Sequence, residues 1–216
     1  MLFSRAPVVS QPRLVIDEGT LVRFGSVYAG ESPQKRITLT NTGTEAVRIR
    51  NYESSCGCTV ARLGSLLIRP GRSVPMTIRL QTSELEGQVA KEVTIRWNNP
   101  RDPNLVVSIL ADVRPIVSFS RSVVEFDSAT VGKIIAETVL VRNLIRDTVR
   151  IRSWSSSDVR VLSASSDSLL PPLATAKLVL TLKPAAAGRF SGNVEGRFAG
   201  RSDVVKSLGC RARVGR

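Results

Sequence analysis

The sequence predicts an all-β chain folded as two tandem immunoglobulin-like β-sandwich domains. Short segments such as RITLTNT, VRIRN, VPMTIRL and KEVTIRW alternate apolar and polar residues, as half-buried strands do. Clusters of Gly, Pro, Asn and Ser, such as NTGTE, RPGRS and NNPRDPN, separate these segments. No helical periodicity extends beyond two turns. The third observation is that the chain repeats itself.

A shift of 102 residues places the first half of the sequence on the second half. The tetrapeptide Val47–Arg50 falls on the identical tetrapeptide Val149–Arg152, and Asn41 falls on Asn143. Chance similarity between two strand-rich segments does not keep one register over so many residues. The repeat therefore indicates two copies of one structural unit.

Each copy has the features of an immunoglobulin-like sandwich. Turn signals recur at a spacing of roughly 8–12 residues, which suits about seven short strands in each copy. We predict a first domain at residues 13–114 and a diverged second domain at residues 115–216. Almost no linker separates them, since the join lies near Arg114-Pro115.

The turn residues differ between the copies. The first copy has NTG, with Asn and Gly where a tight turn needs positive φ, whereas the second copy has NLI. RPGRS places Pro and Gly at the centre of a type II turn, and the second copy has PPLAT instead. The sequence predicts that the second domain builds these turns differently, with looser or longer loops.

The composition excludes several kinds of catalytic chemistry. The chain has no histidine, so it cannot form a Ser-His-Asp triad, a Cys-His pair or a His-ligated zinc site. No phosphate-binding loop or pair of acids at an enzyme-like spacing is present. We predict a protein that is not an enzyme and has no cofactor. Acidic residues such as Glu18 and Asp112 are interpreted as solvated residues of loops and strand ends.

The net charge of +13 comes from 31 basic and 18 acidic residues, and the basic residues are mostly arginine. Clustered arginine neutralises phosphates, so a polyanion partner is one interpretation. The other is that arginine fills solvent-facing strand positions. The arginines alternate with apolar residues along the whole chain, which favours the second interpretation and predicts a scattered distribution. Nucleic acid is therefore a disfavoured partner.

No transmembrane segment is predicted, because no apolar run approaches the roughly 20 residues that cross a bilayer. The first residues, MLFSRAPVVSQPRL, lack the length and the apolar core of a signal peptide. We expect a chain that either stays inside the cell or has lost its leader. The oligomeric state is not predicted by the sequence.

The most specific feature is the stretch SSCGCT, in which Cys56 and Cys58 flank Gly57. Four interpretations are open: two small buried residues, a disulfide, a site for a soft metal such as Cu(I), or a redox-active thiol. Residues two apart in a strand lie roughly 6.5–7 Å apart, so a disulfide needs a turn at Gly57. The third cysteine, Cys210, is predicted to be a buried core thiol.

Comparison of the copies shows that the fold does not require these cysteines. Cys56 falls on Asp158, and Cys58 falls on Arg160. The second copy therefore has the same unit without the thiols. The pair is an addition to the scaffold of the first copy.

The first copy also resembles a bacterial family catalogued as a domain of unknown function, DUF1573. The resemblance is carried by FGSVYAGE (Phe24–Glu31), LTNTG (Leu39–Gly43), SSCGCTV (Ser54–Val60) and IRPGRS (Ile68–Ser73). It implies a sandwich of the type seen in ASH and major-sperm-protein domains. It also implies a location in the periplasm or cell envelope, and it brings no established activity.

These observations favour a non-catalytic binding or structural module of an envelope-associated bacterial protein, acting through contacts with other proteins. Sandwich edges commonly bind peptides by strand addition. The alternatives are soft-metal binding or thiol redox chemistry at Cys56 and Cys58, and polyanion binding by an arginine-rich surface.

Overall fold

A computed structural model describes residues 11–157, 161–165 and 168–216. Within this part of the chain every regular element is a β-strand, as the alternating segments predict, and none is a helix that is long and apolar enough to cross a membrane. The chain divides into two compact units. The first is built from residues 11–27, 32–82 and 87–113, and the second from residues 28–31, 83–86 and 114–216.

The first unit is a sandwich of two sheets. One sheet has the strand order β1-β3-β7-β5, and the other has the order β2-β9-β8-β4-β6. The strands are β1 (Leu14–Ile16), β2 (Leu21–Tyr28), β3 (Gln34–Asn41), β4 (Val47–Ser54), β5 (Thr59–Leu63), β6 (Leu67–Ile68), β7 (Ser73–Leu80), β8 (Gly87–Trp97) and β9 (Asn104–Arg114).

The second unit repeats this topology strand for strand. Its sheets have the orders β10-β12-β16-β14 and β11-β18-β17-β13-β15. The strands are β10 (Val117–Phe119), β11 (Val123–Thr130), β12 (Ile135–Asn143), β13 (Val149–Ser156), β14 (Val161–Ser165), β15 (Leu169–Leu170), β16 (Thr175–Leu182), β17 (Gly188–Ala199) and β18 (Asp203–Gly215).

Each unit buries its own apolar core between its two sheets. The inward residues of the first unit include Leu39, Met76 and Ile95, which are fully buried. The core of the second unit contains a tilted cluster of aromatic rings, in which Trp154 and Phe198 meet edge to face with 5.5 Å between ring centroids. Outward residues alternate with these, so each strand has one apolar face and one polar face.

A fully buried asparagine at the end of β3 organises one end of the first unit. Asn41 donates from Nδ2 to the carbonyl oxygens of Glu45 (2.8 Å) and Ile68 (2.9 Å). Its Oδ1 accepts the N–H of Gly43 at 3.0 Å. One side chain thus holds the β3–β4 turn and the two-residue strand β6, which is too short to be stable alone.

The second unit has the same arrangement, which corrects the expectation of a differently built turn. Asn143 is also fully buried, and its Nδ2 donates to the carbonyl oxygens of Asp147 (2.8 Å) and Leu170 (3.0 Å). The N–H of Ile145 replaces that of Gly43 as donor to Oδ1. The asparagine side chain defines the turn, so the residue two positions later is free to vary.

Glycine at position 43 has a different role from the one the sequence suggests. Gly43 is not in a positive-φ conformation. A Cβ at this position would collide with the carbonyl oxygen of Gln11 and the backbone nitrogen of Arg13. Glycine is therefore required for the close approach of the segment before β1.

The type II turn predicted for RPGRS is confirmed. The corresponding turn of the second unit has the same conformation, although the sequence predicts a different one. Gly71 has a φ of +68°, and the N–H of Arg72 donates to the carbonyl of Arg69 at 3.0 Å. In the second unit Leu173 takes the same conformation with a φ of +58°, and the N–H of Ala174 donates to the carbonyl of Pro171 at 3.1 Å. The loss of glycine has left the turn unchanged and strained.

We predict that Asn41→Ala destabilises the first unit by about 3 kcal/mol, because three hydrogen bonds of a buried side chain are lost. The measurement is urea unfolding followed by the fluorescence of Trp97, in a Trp154→Phe background that leaves one reporter. Asn104→Ala is the matched control, since Asn104 is exposed. Equal stability of the two variants would contradict the role assigned to Asn41.

We predict that Leu173→Gly stabilises the second unit by about 1 kcal/mol, because a left-handed conformation costs a side chain that has a Cβ. Leu173 is exposed, so little packing is lost. Urea unfolding followed by Trp154 fluorescence in a Trp97→Phe background measures the change. The reverse substitution, Gly71→Leu, should destabilise the first unit, and a neutral result for both would refute the strain.

Candidate functional site

The SSCGCT stretch forms the connection between β4 and β5 in the first unit. The N–H of Thr59 donates to the carbonyl of Cys56 at 3.3 Å, which closes a turn with Gly57 and Cys58 at its centre. Ser54 donates from its hydroxyl to the carbonyl of Thr59 at 2.7 Å. Thr59 is buried and fixes the start of β5, while Gly57 is exposed at the tip.

A disulfide joins Cys56 to Cys58, with their Cα atoms 5.2 Å apart. This is the second of the four interpretations, and the turn provides the short Cα separation that a regular strand does not. A Cβ on Gly57 would meet no atom within 4 Å. The glycine is therefore not required by crowding at the tip.

The residue before the loop is held in the same way in both units. In the first unit the N–H of Ser55 donates to the carbonyl of Glu92 at 2.9 Å, and the Ser55 hydroxyl accepts the N–H of Glu92 at 3.0 Å. Ser157 and Asn193 make the same two bonds in the second unit, at 2.9 and 2.8 Å. The scaffold of the loop is thus common, although Asp158 and Arg160, the counterparts of the cysteines, lie outside the described residues.

The disulfide loop leads directly into β5, which is an edge strand. Among the described residues, β5 pairs with β7 alone and ends its sheet. Gln81 N–H donates to Cys58 carbonyl at 2.7 Å, and Gly64 N–H donates to Pro75 carbonyl at 2.9 Å. These bonds fix the alternation of the antiparallel ladder, in which Val60 and Arg62 bond to β7.

The alternate residues of β5 direct their backbone N–H and C=O groups away from β7, towards the free edge of the sheet. By the same alternation, the N–H and C=O groups of Ala61 and Leu63 face away from β7. Thr59 is different, because its N–H and C=O are already bonded to Cys56 and Ser54. The free edge is therefore the segment Ala61–Leu63.

Three arginines lie on the outward face of the sheet beside this edge. Arg62 on β5 and Arg36 on β3 both face Thr77 of β7, and Arg79 lies beside Val60. All three arginines are exposed. This cluster is called the arginine face below. Strand pairing brings these three residues together although they are far apart in sequence, whereas other exposed arginines, such as Arg48, Arg50 and Arg96, lie on the other sheet of the unit.

A second group of arginines lies in the second unit. Arg189 on β17 pairs directly with Arg213 on β18, and Arg211 pairs with Ser191. From β8 onward the two copies correspond at a shift of 101 residues, since β8 begins at Gly87 and β17 at Gly188. The first unit therefore has Gln88 and Asp112 at the positions of the directly opposed pair. Arginine clusters on these outward strand faces, and polyanion binding by such surfaces stays a prediction.

Cys210 is buried in β18, as predicted, and burial raises the pKa of its thiol.

Glu18 is hydrogen-bonded to β3, whereas the sequence predicts only a solvated residue. The backbone N–H of Thr38 donates to its carboxylate at 2.8 Å and lowers the pKa of the Glu18 carboxyl, and the Thr38 hydroxyl also donates at 3.0 Å.

The metal interpretation of Cys56 and Cys58 applies to the reduced chain, because in the disulfide each sulfur is bonded to the other. The described residues contain no group of three or more His, Cys, Asp or Glu side chains suited to one metal ion. Metal binding through Cys56 and Cys58 therefore stays a prediction for the reduced protein, in which the two thiolates would have to act as a pair. Arg62, which is on the outward face of β5, is four residues beyond Cys58.

Two sandwiches in tandem, each with four strands facing five, define a protein of the immunoglobulin-like class. Residues 15–113 match the family described as "Protein of unknown function (DUF1573)". This match confirms the resemblance that the motifs of the first domain indicate. A comparison with curated proteins found no significant match.

Three of the solved structures that align with the chain have 10% sequence identity to it. A protein of unknown function from Porphyromonas gingivalis W83 aligns over 93% of this chain and 99% of its own, with a TM-score of 0.40. The ASH / PapD-like domain 7 of human CEP192 aligns over 47% and 86%, with a TM-score of 0.43. The native conformation of E. coli alpha-2-macroglobulin aligns over 94% and 17%, with a TM-score of 0.48.

We predict one free thiol in the unfolded, non-reduced protein and three after reduction, because Cys56 and Cys58 are paired and Cys210 is free. Thiol counting with a chromogenic disulfide reagent in denaturant, with and without prior reduction, measures this. In the native protein Cys210 should react slowly, since it is buried. Three thiols before reduction would contradict the disulfide, and the Cys210→Ser variant identifies the free one.

Proposed function

We propose that this protein is a non-catalytic binding module that acts through contacts with other proteins at the free edge of β5. The observation that carries the proposal is the unpaired backbone of Ala61 and Leu63 on an exposed edge strand. Such an edge is a template for a further strand. Strand addition supplies affinity through main-chain hydrogen bonds and specificity through alternate side chains.

The disulfide loop supports a defined role for this edge. An edge strand is a liability for aggregation, and proteins usually blunt it. Here the loop before β5 is tied by a disulfide, by the Ser54 hydroxyl and by the Ser55–Glu92 bonds. The start of the edge is thus held in one position before any partner arrives, which lowers the entropic cost of binding.

We also propose a location in the periplasm or cell envelope. A disulfide forms and persists in oxidising compartments and is rare in the cytosol. The bacterial family resemblance of the first domain agrees with such a location. The absence of histidine supports a non-catalytic role, because acid–base and nucleophilic chemistry most often use it.

We predict that Ala61→Pro abolishes partner binding without unfolding the domain. Proline removes the outward N–H of residue 61 and leaves the bonds of Val60 and Arg62 to β7. The measurement is photo-crosslinking in the native bacterium, with a photoreactive amino acid in place of the exposed residue Val60. The expected result is a discrete crosslinked product that Ala61→Pro eliminates.

Two controls make this experiment specific. Ala61→Val keeps the N–H and should keep the product. Ser163→Pro makes the same change at the corresponding position of β14, the matching edge of the second unit. A product that persists in Ala61→Pro, with an unchanged thermal melt, would overturn the proposed function.

A further inference from the structure

We propose that the edge of β5 binds an extended acidic segment of a partner protein, whose carboxylates pair with Arg62 and Arg79. This inference rests on the proposed function and specifies its ligand. Two features of one surface carry it: the unpaired backbone edge of β5 and the arginine face beside it. A comparison supports it, because the second unit lacks both the arginines and the cysteines at the corresponding positions.

The geometry determines which side chains of a docked strand meet the arginine face. Side chains alternate between the two faces of a sheet, and neighbouring strands lie about 4.8 Å apart. A strand added to β5 therefore places every second side chain level with Val60 or Arg62 on the outward face. The residue level with Arg62 is its direct cross-strand neighbour and is within reach of the guanidinium.

The residue level with Val60 meets the second arginine. Arg79 is the β7 neighbour of Val60, so it is about 10 Å from the added strand, measured across the sheet. A glutamate and an arginine side chain together span this distance over the short Val60 side chain. Arg36, one strand further away, adds positive potential without direct contact. Alternate acidic residues are thus the pattern that fits.

The guanidinium groups are available for such a partner. Within residues 11–157, 161–165 and 168–216, no carboxylate lies within ion-pair distance of Arg36, Arg62 or Arg79, and the one side-chain bond recorded for them joins Arg79 to Gln34 at 3.4 Å. The nearby carboxylate of Glu18 is bonded to Thr38. The three guanidinium groups outnumber this one carboxylate, so the face has a net positive charge.

The second unit shows that the fold does not require these arginines. At the positions of Arg36, Arg62 and Arg79 it has Thr138, Ala164 and Thr181. The pairing register is the same, since Thr138 pairs with Val179 as Arg36 pairs with Thr77. The arginine face is thus a feature of the first unit, as is the disulfide.

An acidic peptide fits this surface better than a nucleic acid does. The free N–H and C=O groups of Ala61 and Leu63 match another main chain, which a phosphodiester backbone does not provide. Stacking of single-stranded bases needs exposed aromatic rings, and aromatic residues make up 5% of the chain. Nucleic acid remains an outcome that the experiment can detect.

The test uses the full chain labelled with ¹⁵N and a nine-residue synthetic peptide in which Glu and Val alternate. We expect the amide signals of residues 59–63 to shift on titration. The double variant Arg62→Gln/Arg79→Gln should weaken binding about tenfold, since two exposed ion pairs with the peptide are lost. Ala61→Pro should abolish binding, and a peptide with Lys in place of Glu should not bind.

The matched control is Arg189→Gln/Arg213→Gln, which removes the same charge from the directly opposed pair of β17 and β18. It should leave peptide binding unchanged. Equal weakening by both double variants, or equal competition by a duplex DNA oligonucleotide, would show general attraction of polyanions and overturn the proposal.

Two further outcomes separate this inference from the proposed function. If the peptide causes no shifts at β5 while the crosslink in cells still depends on the N–H of Ala61, the acidic ligand is wrong and the edge-binding function stands. If the crosslink also persists in Ala61→Pro, both are wrong. Reversal of specificity supports the inference further: Arg62→Glu/Arg79→Glu should bind the Lys-Val peptide and lose the Glu-Val peptide.

Discussion

The hydrogen bonds of one buried asparagine in each unit are the constraint on which the rest of the sandwich depends. Asn41 and Asn143 are both fully buried at the end of the third strand of their units. Each satisfies carbonyls from a turn and from a two-residue strand that lacks enough residues to hold itself in place. A polar side chain in such surroundings is stable only when its bonds are made, so it selects one arrangement of three segments.

With the scaffold fixed in this way, the two copies can differ where the scaffold is not involved. The second copy keeps the topology, the serine that holds the start of the loop and the buried asparagine. The first copy adds a disulfide in the loop before β5 and an arginine face on β5 and its neighbours β7 and β3. These additions lie at one sheet edge, and the second copy has the same topology without them, so the fold does not require them.

The sequence was sufficient for the fold class and the repeat, because strand alternation and internal similarity are local signals that any sandwich displays. It placed Cys210 in the core for the same reason. It misjudged the turns of the second copy, since the determinant was Asn143 rather than the glycine that follows its counterpart. The arginine face was missed because Arg36, Arg62 and Arg79 meet only through the register of β3, β7 and β5. The difference between the two copies is the sequence signal that reveals it, because the second copy has Thr138 and Thr181 at the positions of Arg36 and Arg79.

The tip of the β4–β5 loop has a consequence for the survival of the protein. Exposed loop tips with small residues are where proteases cut, because the enzyme must draw an extended stretch of chain into its cleft. Gly57 is exposed at such a tip, yet it sits inside a ring closed by the neighbouring sulfurs. That ring cannot be straightened, so we expect the chain at Gly57 to resist proteases for as long as the disulfide is intact.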